Sequence, residues 1–371
     1  MIRTPVVVRH EKGLDGRPIA LLVQEASQYA SKVYIEVDNK KINAKSIMGM
    51  MSLNLIEGEE VTVLTDGEDP RILEASSRLL ASNFLYPILI GNPERVMAAA
   101  EESGFNIRGA LIFDPENYDA MDDMVNAFCE LRKSKGVTPE EARKTLKAPN
   151  YFGTMLVKMG IADCLLGGAT YSTADTVRPA LQLIKTKPEN SVVSSCFILV
   201  RPSATGDNEV LAMGDCAINI CPSEDQLAEI CGEVADCAKI FGVDPKVAFL
   251  SYSTLGSGKG EDVTKMRNAA AKAKAKFPAL PIEGEIQFDA AVSPRVARTK
   301  CPESEVAGHA NTFIFPDINS GNIGYKIAQR LGNFEAYGPI LLGLNAPIND
   351  LSRGCNAIEV YSMAIITAAL A

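Results

Sequence analysis

The sequence has only two histidines, no Cys-x-x-Cys pair and no long uncharged apolar run, and these absences set the first limits on its function. A membrane span needs about 20 consecutive apolar residues; the longest apolar run near an end, Met363–Ala371, reads instead as a buried terminal helix. Met1–His10 lacks the apolar core of a secretion signal. The nine cysteines are scattered, and Cys216 and Cys221 have no His or acidic cluster beside them to complete a zinc site. Cys231 and Cys237 fall among Leu227, Ile230 and Val234 and read as small apolar residues, which suits a reducing cytoplasm. His10 and His309 have no partner in sequence and read as structural or surface residues. A net charge of −9 argues against a nucleic-acid partner, because phosphate neutralisation needs a dense basic face.

What is present divides by texture. A chain of 371 residues exceeds one small core and predicts two or three domains. Residues 1–66 alternate in short segments: Lys32–Val37 and Glu60–Leu64 read as strands of an antiparallel sheet, with helices over Pro18–Tyr29 and Ser46–Leu53. Beyond Asp66, apolar runs alternate with amphipathic stretches. Pro87–Ile90, Ala110–Phe113, Cys164–Leu166, Val192–Val200, Val247–Leu250 and Thr312–Phe315 read as parallel strands covered on both faces, the pattern of an α/β sheet. Asp69-Pro70 marks one helix start, and Thr138–Glu141 and Ser223–Gln226 have the spacing of capping boxes. Ligands of such sheets bind beyond the carboxyl ends of the strands.

The densest polar cluster of the α/β part is Asn345–Cys355, joining the strand-like run Pro339–Leu344 to the terminal helix. This places Ser352, Arg353 and Gly354 at a helix N-terminus, where free N–H groups and the macrodipole favour anions. Glu359, seven residues after Ser352, then shares its face, roughly 10 Å along the axis. Hydroxyl, guanidinium and carboxylate would line one wall; an ordinary capped helix with a salt-bridged surface has the same pattern. Cys355 has no histidine near it in sequence and does not read as a nucleophile. The segment Leu255–Glu261 lacks the GxxxxGK[ST] spacing of a phosphate loop; it reads as a Gly-rich loop, either near an acyl-donor site or contacting nothing. Asp317 and the turn Asn319–Asn322 either line a cleft or cap the helix that follows.

These residues resemble the phosphotransacetylase family. The resemblance runs through much of 67–371 and includes Gly67–Leu73, Pro87–Pro93, Leu131–Thr138, Tyr171–Leu181, Gly284–Ala291, Phe315–Asn322 and the cluster at Ser352, in family order. It implies two α/β three-layer domains with a cleft between them, at 67–189 with 337–371 and at 190–336, commonly in a homodimer. It implies transfer of an acetyl group between acetyl phosphate and coenzyme A, a substrate here, with no tightly bound cofactor and no metal. Ser352 would stabilise developing charge, Arg353, Arg132 and Arg178 would hold phosphates, and Ser172, Thr173, Asp317, Asn319 and Ser320 would line the substrate site. The family's base is an aspartate; Glu359 stands there, one methylene longer. Related readings are a butyryl-preferring acyltransferase and a regulatory protein that binds acyl phosphate or coenzyme A without turnover.

Residues 1–66 resemble HPr, a small α+β phosphocarrier, through Gly13–Pro18 and Lys45–Ser52. Asp15 stands where that family has its phosphorylated histidine, so the carrier chemistry is expected to be lost and Asp15 to cap a helix. Ser46 matches the family's regulatory serine, a site for an HPr kinase or simply an N-cap. Val61–Leu64 is read as the last strand of this HPr-like sheet.

Overall fold

The computed structural model describes residues 26, 33–37, 40–44, 61–82, 85–202 and 208–371. Asp15, Ser46 and the two helices expected before residue 54 lie outside them, apart from Ala26, which is helical and buried. Strands β1 (Tyr34–Val37) and β2 (Lys40–Asn43) form an antiparallel hairpin; β1 falls within the strand expected over Lys32–Val37, whereas β2 was not read from the sequence.

The apolar runs after residue 60 build two sheets. The first is wholly parallel and orders its strands as β13 (Ile348–Asp350), β6 (Cys164–Gly167), β3 (Val61–Leu64), β4 (Tyr86–Ile90) and β5 (Leu111–Phe113). Val61–Leu64 therefore sits in the middle of this sheet, and the expectation that it closes the HPr-like sheet is corrected. Val63 and Leu64 are fully buried, and the strand leads through helix Pro70–Ser82 into its parallel neighbour β4, a right-sized crossover unit.

The second sheet runs β10 (Ile282–Ile286), β9 (Val247–Leu250), β11 (Thr312–Ile314), β8 (Asn208–Gly214), β7 (Ser194–Pro202), β12 (Glu335–Leu342). Its first four strands are parallel, but β7 pairs antiparallel with both β8 and β12. The parallel reading of Val192–Val200 is thus also corrected. Too few residues separate β7 from β8 for a parallel crossover, which needs a dozen or more. Residues 337–342, expected to return to the first sheet, belong to β12 and the second. The chain rejoins the first sheet only at β13.

The two crossings between sheets lie side by side. Thr186 bridges Leu344, Lys187 N–H donates to Gly343 O (2.9 Å), and Asn345 N–H donates to Lys185 O (3.0 Å). Glu229 and Glu233, on helix Glu224–Ile240, accept from Ser191 N–H and Val192 N–H and from Asn190 and Ser194 respectively. Burial pushes Glu233 up to about 7, partly offset by the Ser194 hydroxyl. Both predicted capping boxes form, Thr138 with Glu141 and Ser223 with Gln226.

Helix Ile318–Leu331 packs through one buried residue, Gly321, where an added Cβ would lie 2.5 Å from the backbone oxygen of Asp215. We expect Gly321→Ala to lower the urea midpoint by an amount equivalent to about 1–3 kcal/mol, since overpacking against backbone outweighs the roughly 1 kcal/mol gain in helix propensity. An unchanged or raised midpoint would contradict this packing.

Candidate active site

Three neighbouring strands of the first sheet, β3, β6 and β13, end at one place, and the loops that leave them form one wall of a cleft. Beyond β3, Thr65 and Asp66 meet the loop after β6: the Thr65 hydroxyl lies 2.7 Å from Tyr171 Oη, and Thr170 donates to Asp66. Burial raises the Asp66 carboxyl above its ordinary value despite the Thr170 and Thr65 hydroxyls. Burial, with Asp66 nearby, likewise raises the Tyr171 phenol. At the end of β13, Leu351 N–H donates to Gly167 O (2.7 Å), and the chain parts from β6. Asp350 fills the fork. Its Oδ2 accepts from Thr173 Oγ1 (2.6 Å) and its Oδ1 from Thr176 Oγ1 (2.5 Å). Gly168, at φ 96°, leaves room for it: a Cβ there would stand 2.2 Å from Asp350 Oδ1. Burial pushes Asp350 up to about 6 against the two hydroxyl donors, with Asp66 adding to the rise.

The Ser352–Cys355 turn is pinned by Arg71. Its Nη1 donates to the carbonyls of Arg353 (2.9 Å) and Cys355 (3.1 Å), and its Nη2 to Ala169 O (3.0 Å) and Asp69 (2.7 Å). Ser352 and Arg353 are left exposed. The terminal helix begins later than expected, at Ala357, with Asn356 as its N-cap and Glu359 as its reciprocal partner. Asn356 N–H donates to Glu359 Oε2 and Glu359 N–H to Asn356 Oδ1, both at 2.9 Å. The expected helix N-terminus at Ser352–Gly354 is corrected accordingly: this capping box satisfies the first-turn donors four residues on. Ser352, from the turn, and Glu359, from the first turn of the helix, both line the cleft rather than sharing one helix face. Burial pushes the Cys355 thiol up to about 11 although Arg71 opposes it, so it is protonated at neutral pH and poorly suited to attack.

The facing wall is helix Ile318–Leu331 with β12. Asn322, Tyr325, Lys326, Gln329 and Arg330 from the helix and Ala336–Pro339 from the strand line a cleft of about 590 Å³ together with Tyr171–Ala174 and Leu351–Cys355. Phe197 stacks on Tyr325 at 3.8 Å and fixes that ring. Cations therefore stand on both walls, Arg353 on one and Lys326 and Arg330 on the other, with Asp350 and Glu359 as the carboxylates. Such an arrangement suits a phosphorylated ligand attacked by a group that must lose a proton.

Of the residues singled out in sequence, Ser172, Thr173, Ser352, Arg353 and Glu359 line this cleft. Arg132 caps helix Met121–Leu131, and Arg178 pairs with Asp175 (3.5 Å); neither lines it. Asp317 is the N-cap of the facing helix, accepting from Ser320 N–H (2.9 Å), and Asn319 is exposed, whereas Asn322 at the end of that turn lines the cleft. The Gly-rich loop 255–260 packs on buried Glu285, which accepts from Gly256 N–H (2.7 Å), Ser253 and Arg267. Tyr171, Tyr325, Lys326, Arg330, Tyr337 and Asp350 were missed. The i,i+4 spacing of Lys326 and Arg330 was a readable sign of a cationic helix face. Among the described residues no cluster of three or more His, Cys, Asp or Glu could hold a metal ion.

Comparison with known proteins agrees with this geometry. The chain is 53% identical over 317 residues to a phosphate acetyltransferase of Bacillus subtilis, covering 85% of this chain and 96% of that protein. It is 48% identical over 314 residues to the phosphate acetyltransferase of Staphylococcus epidermidis, covering 83% and 94%. The crystal structure of a Streptococcus pyogenes phosphotransacetylase superposes with a TM-score of 0.83 at 50% identity, over 88% of this chain and 98% of that one. A profile described as PTS HPr component phosphorylation site matches residues 2–82. The profile described as Phosphate acetyl/butaryl transferase matches 47–368, so β3 falls within both. With that profile spanning both cleft walls, the chain belongs to the phosphate acetyl/butaryl transferase family.

Proposed function

We propose that this protein is a phosphate acetyltransferase that moves an acetyl group reversibly between acetyl phosphate and coenzyme A. The observation that carries this reading is the cleft itself: Ser352, Arg353 and Glu359 on one wall face Lys326 and Arg330 on the other. Glu359 takes the proton of the coenzyme A thiol, because the thiolate is the competent nucleophile. The thiolate attacks the carbonyl carbon of acetyl phosphate, Ser352 donates to the carbonyl oxygen as it gains charge, and inorganic phosphate leaves toward Arg353. No covalent enzyme intermediate is needed, and the protonated Cys355 is consistent with that. Ser172 and Thr173 shape the acyl-phosphate side of the cleft, their hydroxyl hydrogens held by Asp175 and Asp350. Arg132 and Arg178, outside the cleft lining, are assigned to the distal phosphates of coenzyme A. Coenzyme A is a substrate in this scheme, with no tightly bound cofactor.

Thioester formation from acetyl phosphate and coenzyme A tests the reading. Ser352→Ala should lower kcat about 10²–10³-fold, and Glu359→Gln about 10²-fold or more with little change in KM. Wild-type turnover by Glu359→Gln would remove Glu359 as the base. Coenzyme A binding without any turnover would favour the binding-only alternative, which the engagement of Glu359 with Asn356 N–H supports.

The same proposal includes a homodimer in a reducing cytoplasm, the latter supported by nine cysteines that form no disulfide. Ile323, Ile327 and Leu331 form an i,i+4,i+8 stripe on the side of the helix away from the cleft, 58, 53 and 80% exposed, and Ile220 lies at the helix start, 73% exposed. Such a patch calls for a partner, and a second copy of the chain is the simplest. Sedimentation should show a dimer that Ile327→Lys with Leu331→Lys converts to monomer; an unaltered dimer would place the interface elsewhere. HPr kinase is the proposed partner at Ser46: ATP and the kinase should label the wild type and not Ser46→Ala, and an unlabelled wild type would end that assignment.

A further inference from the structure

We infer that Asp350 is a positioning residue for the acyl transfer, welding the Ser172–Thr176 segment to the Ser352–Arg353 turn at the fork between β6 and β13. The inference rests on the acetyltransferase reading and deepens it. The two strands are in register at Asp350 and Gly167, and past that point their chains diverge into the two halves of one cleft wall. Backbone pairing ends with Leu351 N–H. Beyond it, the Asp350 carboxylate spans the gap, one oxygen to each of two hydroxyls from the opposite segment at 2.5–2.6 Å. Thr173, which lines the cleft, is therefore oriented by a residue two positions before Ser352. At the left-handed Gly168 a side chain would collide with that carboxylate.

The link is strongest when Asp350 is ionised, since a carboxylate accepts from both hydroxyls, whereas a carboxylic acid must donate to one of its neighbours. The charged and titratable groups facing it are Asp66, beyond β3, and Tyr171, beyond β6; neither is a cation. Asp350 sits at about 6, above its ordinary value, so its contribution to stability is fully present below about 3.8, is lost as pH rises through about 6, and runs opposite to its contribution to activity.

The test compares wild type, Asp350→Asn and Thr176→Val in kcat/KM for acetyl phosphate between pH 5 and 8; ionisation of the substrate is common to all three and cancels. Wild type should lose about tenfold from pH 7 to pH 5. Asp350→Asn should be at least about tenfold slower at pH 7.5, lack this acid limb, and melt at a higher temperature at pH 8. Thr176→Val removes a donor to the ionised form from a residue outside the cleft lining, so its limb should move to higher pH, a shift that a purely structural aspartate would not produce. A wild-type rate in Asp350→Asn, or an unmoved limb in Thr176→Val, would overturn the inference. If the wild type forms no thioester, the acetyltransferase reading fails, and the same pH comparison read in calorimetric affinity for acetyl phosphate decides the role of Asp350 separately.

Discussion

The short parallel pairing of β13 with β6 is the constraint on which the rest of the site depends. Three residue pairs carry Asn349 and Asp350 to the edge of the first sheet, and everything that follows in sequence takes its place from there. Asn349 is fully buried; its amide oxygen accepts Leu341 N–H at 2.8 Å and its nitrogen donates to Thr367, so one side chain ties β12, β13 and the terminal helix together. Arg71 then fixes the turn beyond β13 through carbonyl oxygens, which leaves the Ser352 and Arg353 side chains turned outward for a ligand. The turn is held through its backbone, whereas Glu359, farther along the same wall, is engaged by Asn356 N–H.

Charge within the cleft follows the same logic. Asp350, which lines the cleft, and Asp66, beyond β3, are hydrogen-bonded by hydroxyls, and burial raises both. The guanidinium and ammonium groups stand at the surface, where phosphate oxygens can complete their hydrogen bonds. Cys355, beside Arg71, shows that one arginine does not make a reactive thiolate when the sulfur is buried.

Much of this was legible in the sequence, for identifiable reasons. Runs such as Val247–Leu250 are apolar throughout because both sheet faces are covered, and that pattern survives in any register. The boxes at Thr138 and Ser223 are local, four-residue features that owe nothing to the rest of the fold. Strand direction was not legible: the nine residues of β7 read the same in a parallel or an antiparallel sheet, and only the brief connection to β8 decides it. Ownership of Val61–Leu64 was ambiguous because a buried four-residue run fits either neighbour. An arginine in sequence does not say where its guanidinium lies, which is why Arg353 lines the cleft while Arg132 and Arg178 do not. Asn356 with Glu359 was a readable capping pattern, and weighing it would have moved the helix start past Ser352.

The discontinuity of the first sheet has a temporal consequence. Strands β3 to β6 precede every strand of the second sheet, whereas β13, the Ser352 turn and helix Ala357–Ala368 follow all of them. A chain emerging from the ribosome therefore holds an unfinished first sheet, its β6 edge unpaired, while the whole second sheet is being made. Completion of that edge and arrival of Ser352 and Arg353 are one event. No nascent chain that lacks β13 carries the Ser352 turn, so completion of the first sheet and of this cleft wall coincide.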